Sequence, residues 1–571
     1  MPYKDLFSLR IRVIYSAIFL LAAILIGRLA FVQTVQGGMF RERAGRQYIS
    51  SVPDSFDRGA IFFQDKNGKS YFAATIKTGF IVAINPTMLI DAEETFSKLS
   101  ELLPELDEKN FFLQAGKKDD PYEEIARRIP DEIAQGIESL NLPGVFLYKE
   151  KWRFYPSGSL GSHILGFVGW NGDDLSGRYG IERYYDDVLR RNAREVYVNF
   201  FAETFANLEQ SFFYGSQREG DIFLTIEPEI ERILQSVLHR VVTEWNADSG
   251  GAIIINPKTG AIYALTAEPT FDPNNFSAEN DLSVFSNPIV ESVFEMGSIV
   301  KPLTVATGLD TNVIKPGSVY NDAGTIFLDG SRISNYDGKA RGIVSMQEVL
   351  NQSLNTGAVF IMQRIGKETF AKYFFDLGLG EETGIDLPGE VPGLVGNLKS
   401  AREIEYATAS FGQGIATTPI AMVRALSALA NGGVLVTPHL VKRIDYGLGS
   451  SKVKFVENTK RVFKEETSEE ITRMLVRVVD EALLGGAIKL DRFSIAAKTG
   501  TAQIAISGGG YYEDKFLHSF FGYFPAYDPQ FLVFFYIVNP KGVRYSSQTL
   551  ADPFMEITKF LLNYYTIPPD R

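Results

Sequence analysis

Met296-Gly297-Ser298-Ile299-Val300-Lys301-Pro302 opens an apolar helical pattern that runs on to residue 310. Positions i and i+3 share one face of a helix, so Lys301 can reach the Ser298 hydroxyl. A serine at a helix start feels the positive end of the helix dipole, which favours a developing alkoxide. Pro302 falls in the first turn, where its missing N–H costs little. Alone, the pair also fits an ordinary N-cap serine and a solvated lysine. The rest of the chain separates the two readings. Ser353-Leu354-Asn355 and then Lys498-Thr499-Gly500-Thr501 follow in order. Lys301 can act as a base only when neutral, which requires burial or a nearby positive charge. Lys498 can supply that charge, Ser353 can relay a proton, and Asn355 can orient a substrate amide.

Lys498-Thr499-Gly500-Thr501 ends the run Phe-Ser-Ile-Ala-Ala at 493–497, so it reads as part of a strand. A strand edge pairs its backbone with an extended peptide. Gly500 leaves room for close backbone approach. Lys498 with the Thr499 and Thr501 hydroxyls can bind a terminal carboxylate. The backbone N–H groups of Ser298 and Thr501 are candidate oxyanion donors. The chain holds decoys of each motif: Ser451-x-x-Lys454, Ser139-Leu140-Asn141, Lys77-Thr78-Gly79 and Lys258-Thr259-Gly260. Order and context set them aside. Lys258 precedes the serine inside an Asn-Pro-Lys-Thr-Gly hairpin turn, and Ser451 lies in a Gly/Ser-rich loop.

Outward from these motifs, strand signals at 221–226, 251–256 and 261–265 surround a helix from Glu227 to Trp245. Helical patterns follow at 298–310, 345–365, 367–377 and 418–431, and strands return at 493–506 and 516–538. Strands at both ends of a domain with helices between them suggest a sheet closed by both ends and a helical part inserted. Residues 36–215 are mixed, with frequent turn signals, and two acidic amphipathic stretches near 91–109 and 121–140 read as helices. At 571 residues the chain holds about two to four domains.

Residues 13–32, VIYSAIFLLAAILIGRLAFV, are long enough to span a bilayer core. Lys4, Arg10 and Arg12 precede them and place the N-terminus in the cytoplasm. A cleaved signal peptide is the alternative, with a shorter apolar region. The net charge of −12 argues against general nucleic-acid binding. With no cysteine there is no disulfide, thiolate nucleophile or Cys-ligated metal. The four histidines are scattered, so no metal site is expected, and no cofactor either. No Gly-x-Ser-x-Gly elbow, P-loop or His-Glu-x-x-His occurs.

With its three motifs in order, the chain resembles a class B penicillin-binding protein, a D,D-transpeptidase of peptidoglycan synthesis. Further motifs extend the likeness. Asp57-Arg58-Gly59-Ala60-Ile61 with Asp65-Lys66-Asn67-Gly68 resembles R-G-x-I and D-R-N-G, with Lys66 in place of arginine. Arg153-Phe154-Tyr155-Pro156 with Gly158, His163 and Gly166 resembles R-x-Y-P-x-G…H-x-x-G. Gly180-Ile181-Glu182 with Tyr185, Leu224-Thr225-Ile226-Glu227, and Phe411-Gly412-Gln413-Gly414-Ile415 with Thr418-Pro419 continue it to nearly the whole chain.

The resemblance implies an α+β multidomain fold: a cytoplasmic tail at 1–12, a transmembrane anchor at 13–35, a mixed α/β pedestal (dimerisation-type) domain at 36–215, and a transpeptidase domain at 220–571. The last would be serine β-lactamase-like, a central antiparallel sheet plus a helical subdomain, on the outer side of the cytoplasmic membrane. His163 would be a packed structural residue. Ser298 would attack the penultimate D-Ala of a stem peptide, and β-lactams would acylate it. Length and Pro388-Gly389-Glu390 favour the septal, division-specific type over the elongation type. Either type implies a partner, a multi-spanning glycan polymerase of the shape–elongation–division–sporulation family, and other divisome or elongation proteins. A membrane-tethered D,D-carboxypeptidase or β-lactamase, and an inactive scaffold or β-lactam sensor, are the rival readings.

Overall fold

The computed structural model describes residues 56–172, 174–192, 219–446, 450–453, 460–506 and 508–571. The expected tail and anchor at 1–35 lie outside the described residues, as do 36–55 and 193–215 of the expected pedestal. Among the described residues no helix is long and apolar enough to cross a membrane.

The chain divides into two compact units, one holding Lys77–Trp152 and the other Arg58–Ile76, Arg153–Arg191 and the chain from 219 onward. In the first, Phe80 to Ile84 pair antiparallel with Glu123–Ile129. Helices Ala92–Leu102, Glu108–Ala115 and Asp131–Ser139 supply Leu99, Phe111 and Ile137 to a core with Val82 and Ile84. Asp91 and Asp107 cap the first two helices by accepting from Glu94 and Asn110 backbone N–H groups. The stretch near 121–140, expected to be one helix, is strand in its first half. Its Glu-Glu-Ile-Ala-Arg-Arg-Ile segment sits beside a strand with an open edge, and that pairing outweighs a helical pattern of modest amphipathicity.

The larger unit is built on five antiparallel strands. Helix α1 (Pro228–Glu244) starts with Glu227 as N-cap and Pro228 in the first turn, as the sequence predicts. Strands β1 (Ser249–Ile255) and β2 (Ile262–Glu268) form the expected hairpin. Its turn is the decoy Lys258-Thr259-Gly260, where the Asn256 side chain accepts from the Lys258 and Thr259 backbone N–H groups. Helices α2 (Lys301–Asp310), α3 (Asn355–Ile365), α4 (Pro419–Ala430) and α5 (Glu465–Arg477) follow, then β3 (Ala496–Ala505), β4 (Tyr511–Phe524), β5 (Phe531–Val538) and helix α6 (Ser546–Tyr564). The sheet order is β2-β1-β5-β4-β3, so among the described residues β3 has a neighbour on one side only.

Both faces of this sheet are buried, and period-two alternation sorts its residues. Ala252, Ile254, Phe520 and Phe535 pack with Leu234 and Leu238 of α1 and Phe554 of α6. Ile253, Ile255, Phe521 and Phe534 join Leu303 of α2, Leu426 of α4 and Leu475 of α5. That double burial explains the near-continuous apolar runs Ala252 to Ile255 and Phe531 to Ile537.

Within the same unit, Glu182 is fully buried between two guanidiniums. Its carboxylate oxygens lie 2.6 Å from Arg58 Nε and 2.6 Å from Arg153 Nε. Burial alone would raise its pKa, but the two arginines offset that and hold it below the usual range. His163 is buried and bonded to the Val284 carbonyl at 3.0 Å, and burial pushes its pKa down to about 4. It is thus a neutral packed residue.

Candidate active site

Ser298 lies in a 3-10 turn, Gly297–Val300, that leads into α2, so it precedes the α-helix rather than opening it. Two close approaches hold this turn against β3. Gly297 has φ of +62°, and a Cβ there would come within 2.7 Å of the Thr501 carbonyl oxygen. A Cβ on Gly500 would meet Ser519 Oγ at 2.3 Å and the Met296 carbonyl oxygen at 2.7 Å. The space that Gly500 leaves therefore serves the turn carrying Ser298. Ser519 Oγ also donates to the Met296 carbonyl at 2.9 Å.

Lys301 is fully buried, and its Nζ donates to Ser298 Oγ at 3.0 Å, Ser353 O at 2.6 Å and Ser353 Oγ at 3.1 Å. Ser353 reaches that position because the expected 345–365 helix breaks there. Helix Met346–Asn351 ends, Ser353 takes φ of +53°, and α3 starts at Asn355. The left-handed residue turns both its carbonyl and its hydroxyl toward Lys301. Lys498 Nζ donates to the same hydroxyl at 3.1 Å and to the Thr499 carbonyl at 3.1 Å. The serine–lysine–serine–lysine chain expected from the motifs is thus continuous.

No carboxylate among the described residues pairs with either lysine. Burial, then the charge of Lys498, push Lys301 well below the ordinary lysine value. Burial alone brings Lys498 down to about 7. The amine nearest Ser298 is the one driven toward its neutral, basic form.

Ser298, Ser353 and Lys498 line a cleft of about 900 Å³ that also exposes Asn355, Thr499 and Thr501, with Lys301 enclosed beneath it. Asn355 Nδ2 donates to the Ser334 carbonyl at 2.9 Å, fixing its amide on the wall. Thr501 Oγ1 accepts from the Ser546 backbone N–H at 3.2 Å, which leaves its own proton for a ligand. Sequence reasoning missed the support of this wall. Asp322, buried, accepts from Asn335 Nδ2 at 3.0 Å and Thr356 Oγ1 at 2.7 Å, and Asn335 Oδ1 accepts from the Thr356 backbone N–H at 3.2 Å. No local pattern marks these residues, since they meet only through the fold. Gln413 on the cleft wall was within reach, because it stands inside the Phe-Gly-Gln-Gly-Ile motif. Among the described residues no group of three or more His, Asp or Glu could hold a metal ion.

Residues 250–559 match the family model described as "Penicillin binding protein transpeptidase domain", and residues 54–203 match "Penicillin-binding Protein dimerisation domain". Stage V sporulation protein D of Bacillus subtilis (strain 168) is 33% identical over 536 residues, covering 92% of this chain and 81% of that protein. Peptidoglycan D,D-transpeptidase FtsI of Escherichia coli (strain K12) is 27% identical over 581 residues, covering 100% of this chain and 94% of that protein. The crystal structure of penicillin-binding protein 3 from Mycobacterium tuberculosis, complexed with aztreonam, superposes with a TM-score of 0.68 at 22% identity. That match covers 90% of this chain and 97% of the other and shows a shared fold.

Proposed function

The chain belongs to the penicillin-binding protein family as a class B peptidoglycan D,D-transpeptidase, and from that premise we propose that Ser298 carries its acyl-enzyme. The observation that supports this most is the buried Lys301 amine, 3.0 Å from Ser298 Oγ and without a carboxylate partner among the described residues. Neutral Lys301 takes the Ser298 proton as Oγ attacks the carbonyl carbon of the penultimate D-Ala. The new C–O bond sends an electron pair onto the carbonyl oxygen, which the Ser298 and Thr501 backbone N–H groups stabilise. Collapse breaks the C–N bond, and Lys301 returns the proton through Ser353 to the departing D-Ala amine. An acceptor amine then attacks the ester and loses its proton along the same route, and Ser298 leaves as a hydroxyl. One peptide bond is broken and one is made. Lys498, Thr499 and Thr501 bind the terminal carboxylate, Asn355 holds a substrate amide, and Gly500 lets β3 close on the nucleophile.

A β-lactam follows the first half of this path. Its leaving amine stays tethered to the acyl group, which keeps the adduct in place. Mass spectrometry after benzylpenicillin treatment should locate one adduct on the peptide containing Ser298, and Ser298→Ala should lose it. An adduct that persists in that variant would remove the mechanism. Slow deacylation separates this reading from a β-lactamase or carboxypeptidase, either of which would turn over quickly.

The septal role rests on the likeness to the proteins named FtsI and to stage V sporulation protein D. A fluorescent fusion should gather at the division site, whereas a sidewall pattern would favour the elongation type. Residues 13–32 anchor the chain with its catalytic unit outside the cytoplasmic membrane, where a multi-spanning glycan polymerase would supply the strands to be joined. Protease added to intact spheroplasts should remove the catalytic unit. Its protection would overturn this topology.

A further inference from the structure

The cleft continues beyond the nucleophile. Past Thr501, away from Lys498, β3 leads through Gln503, and Gln413 and Tyr511 close the far end. The two ends can be told apart. Lys498, Thr499 and Ser353 mark the end that takes the leaving D-Ala carboxylate, so the acyl half of a donor runs the other way, from Thr501 toward Gln503. Strand residues advance about 3.3 Å each, so the donor residue before the acyl D-Ala lies beside Ala502 and Gln503, and only a long side chain on it reaches the end of β3. There Tyr511 pairs with Ala505 in register.

At that end the Tyr511 hydroxyl donates to Glu295, at 3.1 Å from Oε1 and 3.0 Å from Oε2. Glu295 stands three residues before the nucleophile and is only partly buried. Burial pushes its carboxyl up, and hydrogen bonds from Tyr511 and the Gly414 backbone oppose that, with no cation among its partners in the described residues. Nearby Glu405, by contrast, is paired with Arg402 at 3.5 Å. The Lys498 amine marks the leaving-group end, Arg332 and Arg544 also line the cleft, and at the acyl end Glu295, bonded to the lining Tyr511, has no ion-pair partner among the described residues.

Transpeptidation requires an acceptor with a free amine, and in a directly cross-linked wall that amine belongs to the stem's own side chain. Donors and acceptors come from the same stems, so a donor carries that amine as well. We propose that Glu295, oriented by Tyr511, is a donor subsite for the protonated side-chain amine of the residue preceding the D-Ala pair. The proposal rests on the transpeptidase reading above and adds a selection to it. A stem whose side-chain amine is already acylated presents no cation to Glu295 and is the poorer donor. Such selection limits how many stems one cross-link can join.

The test uses the full-length protein in detergent and two thiolester donors. Each is an N-acyl-diamino-acid–D-alanyl thioglycolate, one with its side-chain amine free and one with it acetylated. Acylation of Ser298 is followed by competition with fluorescent penicillin. The free amine should react about tenfold faster, the size of one charge-assisted contact at a partly exposed site. Glu295→Gln should bring the ratio near one, and Tyr511→Phe should lower it part of the way. If Glu295→Gln loses penicillin labelling altogether, Tyr511→Phe decides, and an unchanged ratio there overturns the subsite. So does a wild type that takes penicillin on Ser298 but shows no free-amine preference, donor inertness included. A wild type that takes no penicillin sinks the transpeptidase reading itself.

Discussion

Lys301 and Lys498 compete for one charge. Both are almost completely enclosed, at 0% and 2% exposure, and both touch Ser353. Their roles differ by position, since only Lys301 touches Ser298. Lys301→Ala should slow acylation by penicillin about 10²–10⁴-fold, the usual range for a general base. Lys498→Ala should mainly weaken carboxylate binding, by about 10–100-fold in apparent affinity, the range of a hydrogen bond to a charged group. Equal and mild losses from both, measured by stopped-flow labelling, would contradict these roles. The same burial ties stability to pH. Lys498 has a folded value of about 7 against 10.5 for a free lysine, so between those limits the unfolded chain binds more protons. The folded state therefore gains stability as pH rises through that window, and the penalty is fully present below it. Urea unfolding of wild type and Lys498→Met at pH 7 and pH 9.5 should show the wild type gaining relative to the variant, by on the order of a few kcal/mol at most. A constant difference would refute the depressed value.

At the scale of elements, the nucleophile turn is positioned by what β3 lacks. Gly500→Ala would drive a methyl group into Ser519 Oγ and the Met296 carbonyl, and the latter is backbone that cannot swing aside. Overpacking of this kind destabilises by about 1–3 kcal/mol, and here it also shifts Ser298. Thermal melting should show the loss together with acylation slowed at least tenfold. Unchanged acylation would mean that the turn tolerates displacement. The elements themselves were largely legible in the sequence. Glu227-Pro228 marked the start of α1, and Asn-Pro-Lys-Thr-Gly marked a hairpin turn rather than a second substrate motif. Ser298, Lys301, Ser353 and Lys498 converge as their order suggested. What the sequence concealed depends on distant partners. Ser353 sits inside a helical pattern, yet it is held at positive φ by contacts with lysines 52 and 145 residues away. Asp322 and Thr356 lie 34 residues apart, and Glu295 and Tyr511 are 216 apart, so no local period could pair them.

At the scale of the whole molecule, Glu182 ties together segments that the sequence separates, through Arg58 and Arg153. Glu182→Ala would leave the enclosed Arg153 guanidinium without its carboxylate and Arg58 with Asp186 alone, a loss of about 3–5 kcal/mol for breaking a buried pair. Its carboxylate is held below the usual range, so its contribution is present above the ordinary carboxylate value and is lost as pH falls through the lowered one. Differential scanning calorimetry at pH 7 should show a melting point several degrees lower in the variant, and the gap should narrow in acid. A variant as stable as wild type at pH 7 would make the triad dispensable. The other large-scale feature is that β3 is the outermost strand of its sheet. On the transpeptidase mechanism proposed above, the stem peptide would become a temporary sixth strand, and each turnover would finish a layer that must be torn open again before the next. A compound built to stay, with enough main chain to satisfy that bare margin as well as a ring to trap the serine, would hold the enzyme by its architecture and its chemistry at once.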